Sequence, residues 1–188
     1  MKVIHLISGG DSGGAKTHVL SLLQHLNETI TAQLVCFRDG PFADEARSLG
    51  IPTKIMGGNH IFKIRRELAD YIRREGFQLI HCHGSRANMI GALLRHVTGL
   101  PVVTTIHSDY KIDYMGRPLA RCTFGVINTW ALRRLDYRVG VSDAMVDLLI
   151  SRGFPADRFY AIYNGIDFTP APDQGDRLPY LRSLGADV

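Results

Sequence analysis

The first seventeen residues constrain the fold more than any other stretch of the chain. Val3 to Ile7 is an apolar run, Gly9, Gly10, Gly13 and Gly14 follow closely, and Val19, Leu20, Leu22, Leu23 and Leu26 then recur at helical spacing. A strand, a glycine-rich turn and a helix in that order open a Rossmann-like α/β unit. Glycine in such a turn permits positive φ and close approach of backbone to a ligand. The helix start aims unpaired N–H groups and the positive end of its dipole at the same place. A phosphate or another anionic group is therefore expected near Gly13 and Gly14, with Lys16 as the nearest positive side chain. Two well-understood glycine loops come close. The phosphate cradle G-x-x-x-x-G-K-[ST] matches Gly10 to Thr17 except at Ala15, where a Cβ obstructs the cradle. The dinucleotide pattern G-x-G-x-x-G fails at Ser8, and the acid after the second strand, Asp39, has Arg38 beside it. A free-standing nucleotide-binding module, NADP-type or a degenerate P-loop, stays open as an alternative.

The rest of the chain repeats the pattern. Helices are expected at Ala15–Leu26, Phe42–Leu49, Ile61–Glu75, Arg86–Val97, Leu119–Leu135 and Asp143–Ile150. Strands are expected at Thr31–Phe37, Pro52–Met56, Gln78–Cys82, Pro101–Ile106, Tyr137–Val141 and Phe159–Tyr163. The continuous apolar run before Ile106 suits the middle of a parallel sheet, buried on both faces. Ser142 caps one helix, and Gly153 follows its end. This alternation predicts a single α/β domain over residues 1–168, a Rossmann-like doubly wound parallel sheet that binds ligands at the carboxyl ends of its strands. Those tips carry Ser8–Gly14, Arg38–Asp39, Gly57–His60, His81–Arg86, His107–Asp109, Ser142 and Asn164–Asp167. Residues 169–188, with Pro170, Pro172 and Gly175, read as a linker toward a further domain.

The net charge of +4 suits anionic small molecules or an anionic membrane surface. It is too diffuse for nucleic acid, and aromatics are not interleaved with the basic residues. The three cysteines form no C-x-x-C, which suggests reduced thiols in a cytoplasmic protein, and neither a signal peptide nor a transmembrane run is read. The Ile61–Glu75 helix turns Ile64, Leu68 and Ile72 inward and Lys63, Arg65, Arg66, Arg73 and Arg74 outward. That is an ordinary surface helix, or one that touches anionic lipid headgroups on the inner face of the membrane. The Leu119–Leu135 helix with Trp130 is expected to pack in the core, with a second membrane or acceptor surface as the alternative. His81 and His83, at the end of the fourth strand, are expected to point to opposite faces, one toward the cleft. With His107 they lack a carboxylate or thiol to complete a metal site, and no metal is expected.

Five phrases, taken together and in order over residues 2–168, resemble one family. They are Gly13-Gly14-Ala15 with His18, Leu79-Ile-His-Cys-His-Gly84, Val103-Thr-Thr-Ile-His107-Ser108, Val139-Gly-Val-Ser142, and Ile162-Tyr-Asn164-Gly165-Ile166-Asp167. They resemble the N-terminal domain of the retaining glycosyltransferases of family 4, although Gln78 stands where that family usually has aspartate. The resemblance implies a GT-B enzyme whose N-terminal domain holds the acceptor and whose C-terminal domain holds a nucleotide-sugar. The donor-binding Arg/Lys pair and the E-x7-E motif belong to that second domain, and the same spacing between Glu67 and Glu75 is a coincidence on the basic helix. By resemblance, His107 lies beside the transferred sugar as the catalytic residue. Substrate contacts are implied at Gly13, Gly14, Lys16, Asn59, His83, Gly84, Ser108, Asp109, Lys111 and Asn164. The nucleotide-sugar is a co-substrate with no cofactor beside it, the acceptor is a sugar, lipid-linked or polysaccharide, and the domain alone is expected to be inactive.

Overall fold

A computed structural model describes residues 1–10, 13–58, 60–109 and 125–165. The strands are β1 (Lys2–Ile7), β2 (Thr31–Cys36), β3 (Thr53–Ile55), β4 (Leu79–His83), β5 (Val102–Ile106), β6 (Tyr137–Gly140) and β7 (Phe159–Ala161). The helices between them are α1 (Gly14–Leu26), α2 (Pro41–Ser48), α3 (Ile61–Glu75), α4 (Ser85–Thr98), α5 (Val126–Arg134) and α6 (Asp143–Ser151). The strands form one sheet in the order β3-β2-β1-β4-β5-β6-β7, and each neighbouring pair is parallel. The chain works outward from β1 in one direction and then from β4 in the other. Loops at the carboxyl ends of β1 and β4 therefore diverge and leave a crevice, as in other doubly wound sheets.

The expected elements are present, with shifted ends. β4 runs on through His83, because that residue still pairs with Ile7 on β1 and Thr105 on β5. Only Gly84 then separates β4 from α4, where a three-residue loop was expected. β7 stops at Ala161, although the Ile162 N–H still reaches the Gly140 carbonyl at 3.0 Å. Residues 119–124 of the expected sixth-strand-preceding helix lie outside the described residues, as do residues 166–188. Ser142 caps α6 by accepting from the Met145 N–H at 3.2 Å.

Alternation along the strands divides the core into two layers. Ile4, Leu6, Ile80, Cys82, Val102 and Ile106 pack with Ile64, Leu68 and Ile72 of α3 and Ile90 and Leu94 of α4. Ile7, Leu34 and Cys36 pack instead with Val19, Leu20 and Leu23 of α1 and Phe42 and Ala46 of α2. At the amino end of the sheet, Asp136 accepts from Arg95 Nε and Nη2 at 2.8–2.9 Å and from the Val102 N–H at 3.0 Å. This fork ties the last turn of α4 to the starts of β5 and β6. Burial alone would push the Asp136 carboxyl up, but the Arg95 and Val102 donors hold it below its usual value. Trp130 is not in the core. It is 36% exposed, with the Arg134 guanidinium 4.3 Å from its ring centroid. Among the described residues, no helix is long and apolar enough to cross a membrane.

Ile80 is fully buried at the centre of the sheet, whereas Phe62 on α3 is 68% exposed. Ile80→Ala should therefore cost about 2–5 kcal/mol of stability, and Phe62→Ala about 0.5 kcal/mol or less, both read from midpoints of urea unfolding.

Candidate functional site

The glycine turn divides its work between packing and access. Gly9 has φ +86°, and a Cβ there would overlap the Arg38 carbonyl, so this half of the turn sits tightly against the end of β2. Gly13, with φ +67°, caps α1, and neither it nor Gly14 has a heavy atom within 4 Å of where a Cβ would be. The first turn of α1 is thus open to close approach by a ligand. Lys16, at the same turn, pairs with Glu45 of α2. The cation that lines the adjoining cavity is Arg86, whose Nη2 donates to the Gly58 carbonyl at 3.0 Å.

That cavity, about 630 Å³, lies at the carboxyl ends of β1, β4 and β5. Ser8 and Ala15 bound one side, His83, Thr105 and His107 form part of the wall, and Ile127 of α5 closes another side. A buried polar chain stiffens it. Thr104 Oγ1 donates to Asn88 Oδ1 at 2.6 Å, and Asn88 Nδ2 donates to Asn128 Oδ1 at 3.1 Å. These groups satisfy one another where water is excluded.

The histidines do not divide between faces as expected. Residues two apart on a strand point the same way, and His81 and His83 share the α1 face with ring centroids 4.4 Å apart. His5 on β1 joins them, directly opposite His81 in the ladder. His5 Nδ1 lies 3.2 Å from His83 Nε2, and His83 Nδ1 lies 3.4 Å from His107 Nε2. His81 Nε2 bonds Thr105 Oγ1 at 2.8 Å. His18 of α1 meets His107 edge-on, with centroids 5.0 Å apart. Nitrogens of His5, His81 and His83 lie within 4.8 Å of one another, as a metal-binding set would. The rings of His81 and His83, however, lie nearly face to face, 23° from parallel. His81 Nε2 pairs with Thr105, while both ring nitrogens of His83 pair with other imidazoles, those of His5 and His107.

Burial, reinforced by mutual repulsion, keeps these imidazoles neutral. It pushes His5 down to about 3, with a smaller effect from His18, and His107 down to about 4, again with His18 contributing. Burial first and the neighbouring histidines second depress His81 and His83 well below the ordinary range.

The other expected contacts separate. Gly84 lines the cavity beside His83, and Ser108 lines its rim. Asp109 accepts two 2.6 Å bonds from Arg152 Nη1 and Nη2, which follows α6, and both side chains are largely buried. This carboxylate therefore has a protein partner. Asn164 is exposed beyond β7 and is not among the cavity residues. Asn59 and Lys111 lie outside the described residues.

Residues 12–169 match the model of Glycosyltransferase Family 4. The chain is 25% identical to the Escherichia coli UDP-Gal:alpha-D-GlcNAc-diphosphoundecaprenol alpha-1,3-galactosyltransferase, over 80% of this chain and 41% of that protein. It is 26% identical to the alpha-maltose-1-phosphate synthase of Mycolicibacterium smegmatis, over 94% of this chain and 47% of that protein. The chain thus spans less than half the length of these two curated relatives. Its fold matches half of HepE from Anabaena, solved in complex with UDP, with a TM-score of 0.79 at 20% identity over 98% of this chain.

Histidines whose folded values lie below the unfolded value take up protons on unfolding in acid. Stability should be full above about pH 6.5 and should fall as pH drops toward 4. The slope should approach about 1.4 kcal/mol per pH unit for each buried histidine. His81→Phe should flatten that slope in urea titrations run at a series of pH values.

Proposed function

This chain belongs to glycosyltransferase family 4, and from that premise we infer that it is the acceptor-holding half of a GT-B enzyme. The reaction is transfer of a hexose from a nucleotide-sugar to a hydroxyl of a sugar acceptor, lipid-linked or polysaccharide, with retention of configuration as in the family. The observation that carries this reading is the cavity at the switch point between β1 and β4, with His107 in its wall and the open first turn of α1 beside it. A second domain closing over this crevice would bring the donor to His107. Similarity to a UDP-galactose-dependent transferase and to a protein solved with UDP supports a uridine diphosphate donor.

In this reading Gly13 and Gly14 admit the diphosphate to the start of α1, and Arg86 adds positive charge. His107 hydrogen-bonds the sugar being transferred or orients the leaving phosphate. Ser108 and Gly84, which line the cavity, contact the acceptor. No metal is required by this set of groups. The 188-residue chain alone should transfer no sugar, whereas an enzyme carrying this domain and its donor half should. In the two-domain enzyme, His107→Ala should lower kcat/KM roughly a hundredfold or more, measured with a UDP-hexose donor. Transfer by the chain alone, or saturable binding of NADPH or ATP to it, would overturn the reading.

The same reading places the domain at the cytoplasmic face of a membrane when the acceptor is lipid-linked. Supporting it, Phe62 stands 68% exposed on α3 beside Lys63, Arg65 and Arg66. Each cation near an anionic surface contributes about 1 kcal/mol. The chain should co-sediment with vesicles containing phosphatidylglycerol and not with phosphatidylcholine vesicles, and Arg65→Glu with Arg66→Glu should abolish the difference.

A further inference from the structure

We propose that His5 and His83 are positioning residues that fix the tautomer of His107, so that His107 presents a protonated Nδ1 to the cavity. The proposal rests on reading that cavity as the transfer site, because only there does the proton on His107 matter to a substrate.

A chain of hydrogen bonds runs from the cavity wall to a dead end in the fold. His5 and His83 are each 1% exposed. His5 Nδ1 faces His83 Nε2 at 3.2 Å, and His83 Nδ1 faces His107 Nε2 at 3.4 Å. Among the described residues, His5 Nε2 is buried without a hydrogen-bond partner. A neutral imidazole has one donor and one acceptor nitrogen. Two neutral imidazoles bond only when one donates and the other accepts, so the state of His5 sets the state of each ring after it.

Only two arrangements exist. In one, His5 carries its proton on Nε2, and a buried N–H is left with nothing to donate to. His83 then donates from Nε2, His107 donates from Nε2, and His107 Nδ1 is a bare lone pair. In the other, His5 donates from Nδ1 to His83 Nε2, His83 donates from Nδ1 to His107 Nε2, and the His107 proton sits on Nδ1. The group left over is then a bare acceptor deep in the fold. Among buried backbone groups an orphaned N–H is a rarer defect than an unmet acceptor, and the same preference applied to the rings selects the second arrangement. It is also the tautomer that an unconstrained imidazole disfavours, so the chain does work on His107. His81 stands outside the relay, held by Thr105 Oγ1 at 2.8 Å. Burial keeps the members neutral at pH 7, which preserves the one-donor, one-acceptor logic.

The consequence for the site is specific. His107 offers the cavity an N–H donor, suited to a sugar hydroxyl oxygen or a phosphate oxygen. It does not offer a lone pair that would take a proton from the acceptor hydroxyl.

Long-range 1H–15N correlation spectra of the histidine rings decide the matter in the 15N-labelled 188-residue chain at pH 7, with exposed His96 as the unconstrained reference. The expected result is His107 protonated at Nδ1 and bare at Nε2, with the same state in His5 and His83. His5→Phe should shift His107 toward the Nε2-protonated form, and His5→Asn, whose amide N–H stands in for Nδ1, should restore it. A wild-type His107 protonated at Nε2 overturns the proposal, as does a His5→Phe protein whose His107 is unchanged. If His5→Phe fails to fold, the wild-type and His5→Asn spectra still decide. In the two-domain enzyme, His5→Phe should lower kcat at least tenfold with KM unchanged, and His5→Asn should recover most of it. The tautomer is read without substrate, so loss of the transferase reading leaves that result standing, and a wrong tautomer overturns the relay alone.

Discussion

The pairing of β1 with β4 is the interaction on which the rest of this domain depends. Their parallel register sets His5 opposite His81 and Ile7 opposite His83. The next pairing, His83 opposite Thr105 on β5, carries the same pattern one strand further. Each imidazole hydrogen bond between strands is then a diagonal step to the neighbouring strand, two residues closer to the carboxyl end, within reach of a flat ring. A slip of one residue would send every imidazole to the opposite face, into the apolar layer against α3 and α4. The same pairing is where strand order reverses, so the ladder that aligns the histidines also opens the crevice they lead to.

Stability and chemistry are set at opposite ends of the sheet. At the amino end, the Arg95–Asp136 fork joins α4, β5 and β6. At the carboxyl end, the polar groups either satisfy one another, as Thr104, Asn88 and Asn128 do, or stand at the cavity wall. Uncharged imidazoles suit this end, since a buried cation without a partner would cost far more than a buried neutral ring. Burial and hydrogen bonding thus act in the same direction on His83 and His107, keeping both neutral and both oriented.

The architecture was legible in the sequence because its signals are local. The glycine turn, the apolar run of β5, the Ser142 cap and the inward stripe of α3 each depend on residues a few positions apart, and the structure contains all four. The site was less legible because its contacts join distant residues. His5 lies in a strand buried on both faces, so apolar neighbours on either side leave no alternation to mark it as special. Its register opposite His81 would have identified it, but register is fixed only when the strands pair. Lys16 looked like a phosphate ligand because Glu45, on another helix, was not visible beside it. Asp109 looked available because its partner Arg152 is 43 residues away. The misplacement of His81 and His83 had a different cause. Period-two geometry puts them on one face, and their spacing in the sequence was sufficient to show it.

The two-layer core has a consequence for how such a domain can change. On β1, β4 and β5 the odd-numbered positions beneath the cavity carry His5, His81, His83 and Thr105, and His107 continues the series. The even-numbered positions carry Ile4, Leu6, Ile80, Cys82 and Ile106, packed against the helices behind. The polar chemistry beneath the cavity and the structural integrity of the sheet are thereby encoded in two interleaved alphabets on the same strands. A lineage can rewrite the first to change what the cavity wall offers a ligand while leaving the second untouched. One scaffold of this kind can therefore diversify through few substitutions, with no intermediate that has to rebuild its interior.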